Sequence, residues 1–299
     1  MNMLNDVYMH GQILGTHSFL LRDGFLIPDE YSEISDKYFL PGGETGTAAT
    51  VLASLGVSVK IDGTHIGTEV AGMLRKFYED KKVDLSSLYF DSEYDGLMDY
   101  VLISGNVRTP MGMFQSLYES GVTRWNMPKE EDIASCRVAA IDPFFMEATM
   151  EAAKLCIKHN KPYVTIDCCH DDFLHENCAI NVVSKECYNE HYKGMDLESL
   201  CELMKETTGG LVIITCGDGD MIYGRKNQQI RRMKPFKVDV KSTLGAGDTF
   251  KSGCVYGLLK GMGDDEIVRF ASACSAVAIT RFPLPLNPPK LYEVNALIG

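Results

Sequence analysis

Short apolar segments alternate with helical patterns throughout the second half of this 299-residue chain. Two stretches, Glu147–Lys158 and Leu197–Thr207, carry apolar residues at the i, i+3, i+4 spacing of an amphipathic helix. The apolar segments around them have the length of buried strands: Val138–Ile141, Tyr163–Ile166, Ile180–Val183 and Leu211–Thr215. This order predicts an α/β fold with a mostly parallel central sheet that is covered by helices on both faces.

The first half of the chain has a different pattern. Two segments, at about 16–40 and 88–114, lack helical periodicity, and the second contains a turn at Ser104-Gly105-Asn106 that predicts a hairpin. Between them, the small residues of Thr45–Leu55 predict a helix. We expect a single α/β domain over residues 1–299 with these two segments inserted as a small β-sheet lid. Two long hairpins with no closing role are the alternative.

Charge and targeting signals limit the partners of this chain. Its 29 basic and 41 acidic residues give a net charge of −12, which opposes non-specific binding to nucleic acid or to an anionic membrane. No apolar run is long enough to span a membrane, and the N-terminal residues do not resemble a signal peptide. We therefore expect a cytoplasmic protein with neither nucleic-acid nor membrane partners.

The ten cysteines include no Cys-x-x-Cys pair, and several lie in apolar runs. This pattern indicates buried, reduced thiols. The alternative is a metal or redox site at Cys168-Cys169-His170 with Asp171. Adjacent cysteines on a strand point to opposite faces, however, and this makes them poor ligands for one ion.

The segment Ser242–Phe250 (STLGAGDTF) carries the strongest chemical signal in the sequence. Small residues at 245–247 precede a helical pattern and predict a turn into that helix. The free N–H groups of the first helical turn point outward at the helix N-terminus, and the small side chains let a ligand approach the backbone. Such a terminus binds anions and suits a phosphate. Asp248 stands beside it, either as a helix cap or as a general base that takes a proton from an attacking hydroxyl.

Two weaker glycine-containing motifs accompany this turn. Gly42-Gly43 precedes the predicted helix at 45–55, and Thr215–Asp220 follows a predicted core strand, at the end where α/β sheets bind ligands. The sequence contains neither Gly-x4-Gly-Lys-[Ser/Thr] nor Gly-x-Gly-x-x-Gly. This excludes the usual phosphate-binding loop and dinucleotide-binding motifs.

Together these motifs resemble those of the PfkB, or ribokinase-like, family of carbohydrate and nucleoside kinases, over nearly the whole chain. Gly42-Gly43 through Leu55-Gly56 resembles the family's first signature, and Thr243–Phe250 resembles its second. The resemblance implies a ribokinase-like, Rossmann-like three-layer sandwich with a small β-sheet lid. It also implies an enzyme that uses ATP and Mg²⁺ to phosphorylate a hydroxyl of a small sugar or sugar-like metabolite.

The resemblance also implies roles for individual residues. Asp248 would be the base that activates the substrate hydroxyl, and the N–H groups of Gly245, Ala246 and Gly247 would form an anion hole for the γ-phosphoryl group. The nucleotide would contact residues that match the family's nucleotide-side positions: Thr215, Gly217, Gly219, Ser184 and Thr243. The acceptor would contact Gln12, Thr16, Gly42, Gly43, Thr47 and, from the lid hairpin, Arg108.

This chain departs from the family pattern at several of these places. Leu14 and Thr16 replace an Asn and an Asp that usually hold sugar hydroxyls, and Thr47 replaces an Asn. The Asn-x-x-Glu that organises the Mg²⁺ water shell reads Ser184 to Cys187, and Asp220 replaces a glycine. Ser242 stands where some members have an Asp at a K⁺ site, which leaves K⁺ dependence open. An altered set of polar groups predicts an altered acceptor.

Two alternatives remain at this level. A nucleoside kinase would need an aromatic platform for a base, and Phe19, Phe25, Tyr38 and Phe39 are the candidates. A non-catalytic descendant that binds a nucleotide or metabolite would explain the departures from the family pattern. The free edge of a lid sheet would also offer a surface for a homodimer.

Overall fold

The computed structural model describes residues 5–105 and 107–299. Its central sheet has the strand order 231–233, 221–224, 211–214, 180–183, 163–166, 138–141, 7–11, 59–63, 83–84. The pairs from 211–214 to 83–84 are parallel, and the first two strands are added antiparallel at one edge. Strands buried on both faces appear in a sequence as continuous apolar runs, which is how four of them were predicted.

The strands in the described residues belong to two sheets. In chain order they are β1 (Val7–Gly11), β2 (Leu14–Leu21), β3 (Ile34–Gly42), β4 (Val59–Gly63), β5 (Val83–Asp84), β6 (Met98–Ser104), β7 (Val107–Gly112), β8 (Val138–Ile141), β9 (Tyr163–Ile166), β10 (Ile180–Val183), β11 (Leu211–Ile214), β12 (Met221–Gly224) and β13 (Arg231–Met233).

The helices cover both faces of the central sheet. They are α1 (Gly43–Ser54), α2 (Thr68–Tyr78), α3 (Phe114–Glu119), α4 (Glu130–Ser135), α5 (Met146–Lys158), α6 (Phe173–Asn177), α7 (Lys185–His191), α8 (Leu197–Thr207), α9 (Ala246–Lys260), α10 (Asp264–Ile279) and α11 (Leu291–Ile298), with a 3-10 turn at Leu284–Leu286.

Two apolar layers enclose the sheet. One core cluster joins the sheet to α1, α2, α9 and α10, and the other clusters join its opposite face to α4, α5, α6, α7 and α8. Neighbouring strand residues such as Val7 and Tyr8 belong to opposite layers, because successive side chains of a strand point to opposite faces. The predicted three-layer α/β sandwich is therefore confirmed.

A second, smaller sheet has the order β3-β2-β6-β7. The pair β2–β6 is parallel, and the other two pairs are antiparallel. Strand β2 follows β1 after two residues, and β3 leads directly into α1, so the small sheet adjoins the carboxyl edge of the central sheet. All six residues of β7 are exposed. Of the predicted hairpin turn, Asn106 lies outside the described residues.

Two boundaries differ from the sequence-based expectation. Helix α1 begins at Gly43, two residues before the predicted Thr45, so the second glycine is part of its first turn. In the segment at 88–114, strands occupy only 98–104 and 107–112. Across the described ranges, no helix is both long and apolar enough to cross a membrane.

Candidate active site

A pocket of about 140 Å³ lies between the second sheet and the N-terminal ends of α1 and α9. Residues that are far apart in sequence converge on it, including the glycines of both signature motifs and part of the proline-rich C-terminal segment. The lining residues are Leu14, Thr16, Ser18, Leu40, Pro41, Gly42, Gly43, Glu44, Thr47, Asp99, Phe114, Leu244, Gly245, Asp248, Phe282, Pro283, Leu284 and Pro285.

The turn into α9 has the geometry of an anion-binding helix start. Gly245 is the N-cap and has φ of +77°, which a residue with a side chain rarely adopts. The N–H groups of Gly245 and Gly247 have no hydrogen-bond partner among the described residues, whereas the Ala246 N–H donates to the Thr243 carbonyl at 3.2 Å. Two of the three proposed anion-hole donors are therefore free, and the third holds the turn closed.

Asp248 lies in the first turn of α9 and lines the pocket. Burial raises the pKa of Asp248 to about 7; the charge of Lys251 lowers this pKa and the charge of Asp142 raises it. A carboxyl group with a pKa near neutrality can exchange a proton at physiological pH. The position and the pKa of Asp248 both suit a general base.

A second carboxyl group, which the sequence interpretation did not include, lines the same pocket. The pKa of Glu44 is raised to about 8, mainly by burial and also by the charges of Asp248 and Asp142. Asp99 of β6 also lines the pocket, and its Oδ1 is buried without a partner in the described part of the chain. Glu44 directly follows Gly42-Gly43, and this position was the available signal in the sequence.

Behind the pocket, α1 and α9 are joined by a buried polar network. Lys251 Nζ lies 2.6 Å from Asp142 Oδ1, and neither side chain is exposed to solvent. Thr45 Oγ1 donates to Asp142 Oδ2 at 2.8 Å. Asp142 directly follows β8, and Lys251 is a lysine on an otherwise buried helix face. A charged residue directly after a buried strand and a lysine within an apolar helix were the signals in the sequence, but neither belongs to the glycine motifs.

The predicted acceptor residues fall into two groups. Thr16, Gly42, Gly43 and Thr47 line the pocket, and a Cβ at Gly42 would overlap the Thr16 hydroxyl. Gln12 is buried outside the lining, where its Nε2 donates to the Tyr118 hydroxyl at 3.1 Å.

Arg108 also lies outside the pocket lining. It is exposed on β7, although its charge is close enough to lower the pKa of Asp248. The structure therefore brings four of the six predicted acceptor residues to the pocket.

The aromatic residues suggested as a base platform are not in the lining. Phe39 stacks on His17 with ring centroids 4.2 Å apart, and Tyr38 contacts the edge of Phe282. The aromatic residues that do line the pocket are Phe114 and Phe282. The pocket thus has an aromatic surface, but it comes from α3 and from the C-terminal segment.

Three of the predicted nucleotide-side residues, Thr215, Gly217 and Ser184, follow the carboxyl ends of β10 and β11. Thr215 Oγ1 donates to the Val183 carbonyl at 3.3 Å, and Gly217 has φ of +66°. Ser184 caps α7 by accepting a hydrogen bond from the Cys187 N–H at 3.1 Å. Adjacent parallel strands place these residues at one edge, where open α/β sheets bind ligands.

Two other predicted nucleotide-side residues shape the neighbouring turns. The Gly219 N–H donates to the Cys216 carbonyl at 3.1 Å and closes the turn that follows β11. Thr243 is exposed at the turn before α9. Both positions leave the backbone accessible beside the carboxyl edge of the sheet.

Asp167 is an acidic residue at this edge that the sequence interpretation missed. It follows β9 with φ of +50°, and its carboxylate accepts hydrogen bonds from the N–H (2.6 Å) and the hydroxyl (3.0 Å) of Ser184. Burial raises its pKa, and the charge of Glu186 raises it further. Mg²⁺ retains waters and takes phosphate oxygens, so one or two nearby carboxylates are enough to hold it. Asp167 and Glu186 fit that requirement.

The alternative metal site at Cys168–Asp171 is not supported. Within residues 5–105 and 107–299, no three His, Cys, Asp or Glu side chains are grouped closely enough to hold a metal ion. All ten cysteines are free, and burial raises the pKa of the Cys168 thiol well above its usual value. Eight of the ten are buried, as the apolar surroundings in the sequence predicted, and Cys169 and Cys216 are half-buried.

Comparison with protein families and curated proteins gives a consistent result. The family described as pfkB family carbohydrate kinase matches residues 20–285. A 5-dehydro-2-deoxygluconokinase of Shouchella clausii is 35% identical over 89 residues, which are 29% of this chain and 27% of that protein. A ribokinase of Lactococcus lactis is 31% identical over 111 residues, 37% of this chain and 35% of that protein. These matches span about a quarter to a third of the curated relatives.

Solved structures match over almost the full chain. A protein from Agrobacterium tumefaciens, provisionally named a ribokinase, has a TM-score of 0.87 at 16% identity and covers 98% of this chain and 97% of its own. Arabidopsis thaliana ribokinase complexed with ribose and ATP has a TM-score of 0.80 at 14% identity, covering 99% of both chains. A nucleoside kinase of Methanocaldococcus jannaschii has a TM-score of 0.79 at 14% identity, covering 98% of both chains. At these identities the likeness concerns the fold.

Proposed function

Because this chain belongs to the pfkB family of carbohydrate kinases, we propose that it transfers the γ-phosphoryl group of ATP to a hydroxyl of a small sugar or sugar-like metabolite. One observation carries the proposal. Asp248 lines a pocket at the start of α9, and in the turn that begins this helix the N–H groups of Gly245 and Gly247 have no partner among the described residues. A base and an anion site side by side are what hydroxyl phosphorylation requires.

The donor site would lie along the carboxyl edge of the central sheet. ATP would contact Thr215, Gly217 and Gly219 on one strand end, with Ser184 and Thr243 beside its phosphates. Mg²⁺, when bound near Asp167 and Glu186, would neutralise phosphate charge and withdraw electrons from the bond to the leaving group. The nucleotide and the acceptor pocket would thus meet at the α9 N-terminus.

In the proposed reaction, the Asp248 carboxylate accepts the proton of the acceptor hydroxyl. The acceptor oxygen forms a bond to the γ-phosphorus while the bond from phosphorus to the β,γ-bridging oxygen breaks, and that electron pair leaves with ADP. The N–H groups of Gly245 and Gly247 stabilise negative charge on the transferring phosphoryl oxygens. Since the pKa of Asp248 is about 7, kcat/KM should fall about tenfold per pH unit below roughly pH 6.5.

The charge of the pocket restricts the acceptor. Glu44, Asp99 and Asp248 line it, and the described lining contains no Lys, Arg or His. An anionic acceptor would find no cation in this lining to pair with and would be repelled by whichever of these groups is ionised. Hydroxyl groups can donate hydrogen bonds to carboxyl oxygens, including the free Asp99 Oδ1. We therefore infer an uncharged polyol or sugar in place of a sugar phosphate or sugar acid.

The second sheet supports a role as a lid. Residues of β2, β3 and β6 line the pocket, and the sheet connects to the central domain through short links at 12–13 and at the start of α1. Closure of this sheet over the acceptor would exclude water, which competes with the acceptor hydroxyl for the phosphoryl group.

Initial-rate measurement of ADP release tests the proposed function. With Mg²⁺ and ATP, we expect at least one uncharged sugar or polyol to increase the rate of ADP release at least tenfold over the rate without an acceptor. The phosphorylated or carboxylated counterpart of that acceptor should give a rate at least tenfold lower. Running the panel in K⁺ and in Na⁺ buffers tests a monovalent-cation requirement. If no acceptor increases ADP release while ATP still raises the melting temperature, the non-catalytic descendant becomes the better explanation.

A nucleoside kinase is the second candidate, and the aromatic lining of the pocket favours it. Phe114 and Phe282 could stack against a base on one side of the acceptor. Competition distinguishes the two functions: adenosine, inosine or cytidine should inhibit phosphorylation of a sugar acceptor only if they bind the same pocket. Turnover of a nucleoside that exceeds that of every sugar would replace the first proposal.

We also propose a homodimer through the second sheet. β7 is an edge strand whose six residues are exposed, including Val107 and Met111. Sedimentation should give twice the mass of one chain, and Met111→Lys should shift the protein toward monomer. Met127→Lys is the matched control, because Met127 is similarly exposed outside this sheet. A monomeric wild-type protein at micromolar concentration would contradict the proposal.

A further inference from the structure

The buried ion pair of Lys251 and Asp142 lies close to the proposed base. Lys251 follows Asp248 by three residues on α9, so the two side chains leave the same face of the helix. Asp142 binds Lys251 Nζ with one carboxylate oxygen and the Thr45 hydroxyl with the other. The pair thus connects the helices α1 and α9, whose first turns supply Glu44 and Asp248 to the pocket.

Stability alone does not account for this pair. Moving two charges out of water carries a large desolvation penalty, and apolar side chains of similar volume often serve as well. The surroundings are tight, because a Cβ at Gly11 would overlap both the Asp142 carboxylate and the Thr45 hydroxyl. An ion pair supplies something that apolar packing cannot, namely a fixed positive charge close to the half-buried Asp248 carboxyl group that lines the pocket.

Charged or titratable groups surround Asp248 from six elements. Three acidic ones, Glu44 of α1, Asp142 after β8 and Asp167 after β9, favour the protonated form of Asp248, and Asp99 of β6 lines the same pocket. The basic ones are Arg108 of β7 and Lys251 of α9. Arg108 is exposed and therefore screened by solvent and salt, whereas Lys251 has no exposure. Lys251 is accordingly the cation with the stronger and more permanent effect on Asp248.

We propose that Lys251 is a positioning residue that keeps Asp248 ionised and correctly oriented, and that Asp142 limits how strongly Lys251 does so. The inference rests on the proposed function, in which the Asp248 carboxylate receives the acceptor proton. Lys251 keeps its own protons throughout, because its ammonium group stays paired with Asp142. Its effect is to make the carboxylate form of Asp248 available before the acceptor binds.

Two single variants should move the acid limb of the pH profile in opposite directions. The acid limb is the pH range over which kcat/KM falls as Asp248 becomes protonated. Lys251→Met removes the cation and leaves the acidic groups, so the acid limb of kcat/KM should move up by about one pH unit, a tenfold loss at pH 6.5 that recovers by pH 9. Asp142→Asn removes the carboxylate that both pairs with Lys251 and raises the pKa of Asp248, so the limb should move down. The KM for ATP should stay within about twofold in both.

The double variant Asp142→Asn/Lys251→Met guards against a folding defect, because no lone buried charge remains. Its acid limb is expected between those of the single variants. A role confined to folding would lower kcat in all three variants without moving the limb, and that result would overturn the proposal.

A measurement without turnover separates this inference from the proposed function. The pH dependence of the difference in unfolding free energy between each protein and its Asp248→Asn derivative reports the pKa of Asp248. That pKa should rise in Lys251→Met and fall in Asp142→Asn. If it shifts so while no acceptor is phosphorylated, the proposed function fails and the control of Asp248 by Lys251 stands. If an acceptor is phosphorylated and the pKa of Asp248 does not shift in the variants, the proposed function stands and the control of Asp248 by Lys251 fails.

Discussion

Asp248→Asn should lower kcat by about 10²–10⁴-fold and leave the affinity for ATP within about twofold. The amide keeps the size and the hydrogen-bonding reach of the carboxyl group but cannot accept the acceptor proton, and general base catalysis typically contributes a factor of this order. ATP affinity should persist because the proposed nucleotide contacts, which follow β10 and β11 and include Thr243, do not use the Asp248 side chain. Acceptor-dependent ADP release and calorimetric titration with ATP measure the two quantities.

Asp80→Asn is the matched control for this variant. It makes the same chemical change at an exposed residue at the end of α2, outside the pocket. Its kcat should equal that of the wild type. An Asp248→Asn variant that retains more than a tenth of the wild-type kcat would assign the base to another group, and Glu44 would be the next to test, through Glu44→Gln.

The same variant should also be more stable than the wild type in alkaline solution. The pKa of Asp248 is about 7 in the folded chain against an ordinary value of 3.8, so between these pH values the folded state binds more protons than the unfolded state. The free energy of unfolding therefore falls as pH rises through this window. Asparagine does not titrate, so the melting temperature of the variant should exceed that of the wild type by about 2 °C or more at pH 8. This difference should disappear near pH 4.

Gly245→Ala should lower kcat by about 10²–10³-fold, the range found when one oxyanion donor is lost. Gly245 has φ of +77°, and an added Cβ would lie 2.7 Å from Leu284 Cδ2 and 3.0 Å from Thr47 Cγ2. The alanine strains the positive-φ turn and also requires Leu284, Thr47 or the turn itself to shift, so we expect the N–H groups of Gly245 and Gly247 to be displaced. Since no charged group is changed, the acid limb of the pH profile should stay in place.

Gly261→Ala isolates the contribution of the backbone conformation alone. Gly261 ends the same helix with φ of +70°, but an added Cβ there meets no atom within 4 Å. Gly261→Ala should lose about 1 kcal/mol of stability because a residue with a Cβ is disfavoured at positive φ, and Gly245→Ala should lose at least as much. Only Gly245→Ala should lose turnover. Equal activity in the two variants would show that the α9 turn does not bind the phosphoryl group.

Local sequence patterns were sufficient for the main architecture. The strands at 138–141, 163–166 and 180–183 begin and end where their apolar runs do, because strands buried on both faces need side chains of one kind throughout. The turn before α9 could also be predicted from the sequence, because a positive φ at a helix start requires a glycine and Gly245 directly precedes the helical pattern. These features depend on neighbouring residues alone.

The shape and charge of the pocket depend on residues that are distant in sequence. Glu44, Asp99 and Asp248 come from three separate elements, and only the packing of β6 and α1 against the α9 turn brings them together. The exclusion of Gln12 from the lining has the same origin, because its amide binds Tyr118 from a helix more than a hundred residues away in the chain. No local pattern contains these distances.

The pairing of Lys251 with Asp142 shows most clearly where local information ends. In the sequence, Lys251 is one polar residue in an apolar helix and Asp142 is one acid after a strand. Each would be unfavourable if buried alone, because an unpaired charge in the interior keeps its full desolvation penalty. Secondary structure and the glycine motifs follow from short-range sterics and hydrophobic periodicity. The pairing of buried charges and the pKa values that depend on it are long-range properties, and they exist only once the chain has packed.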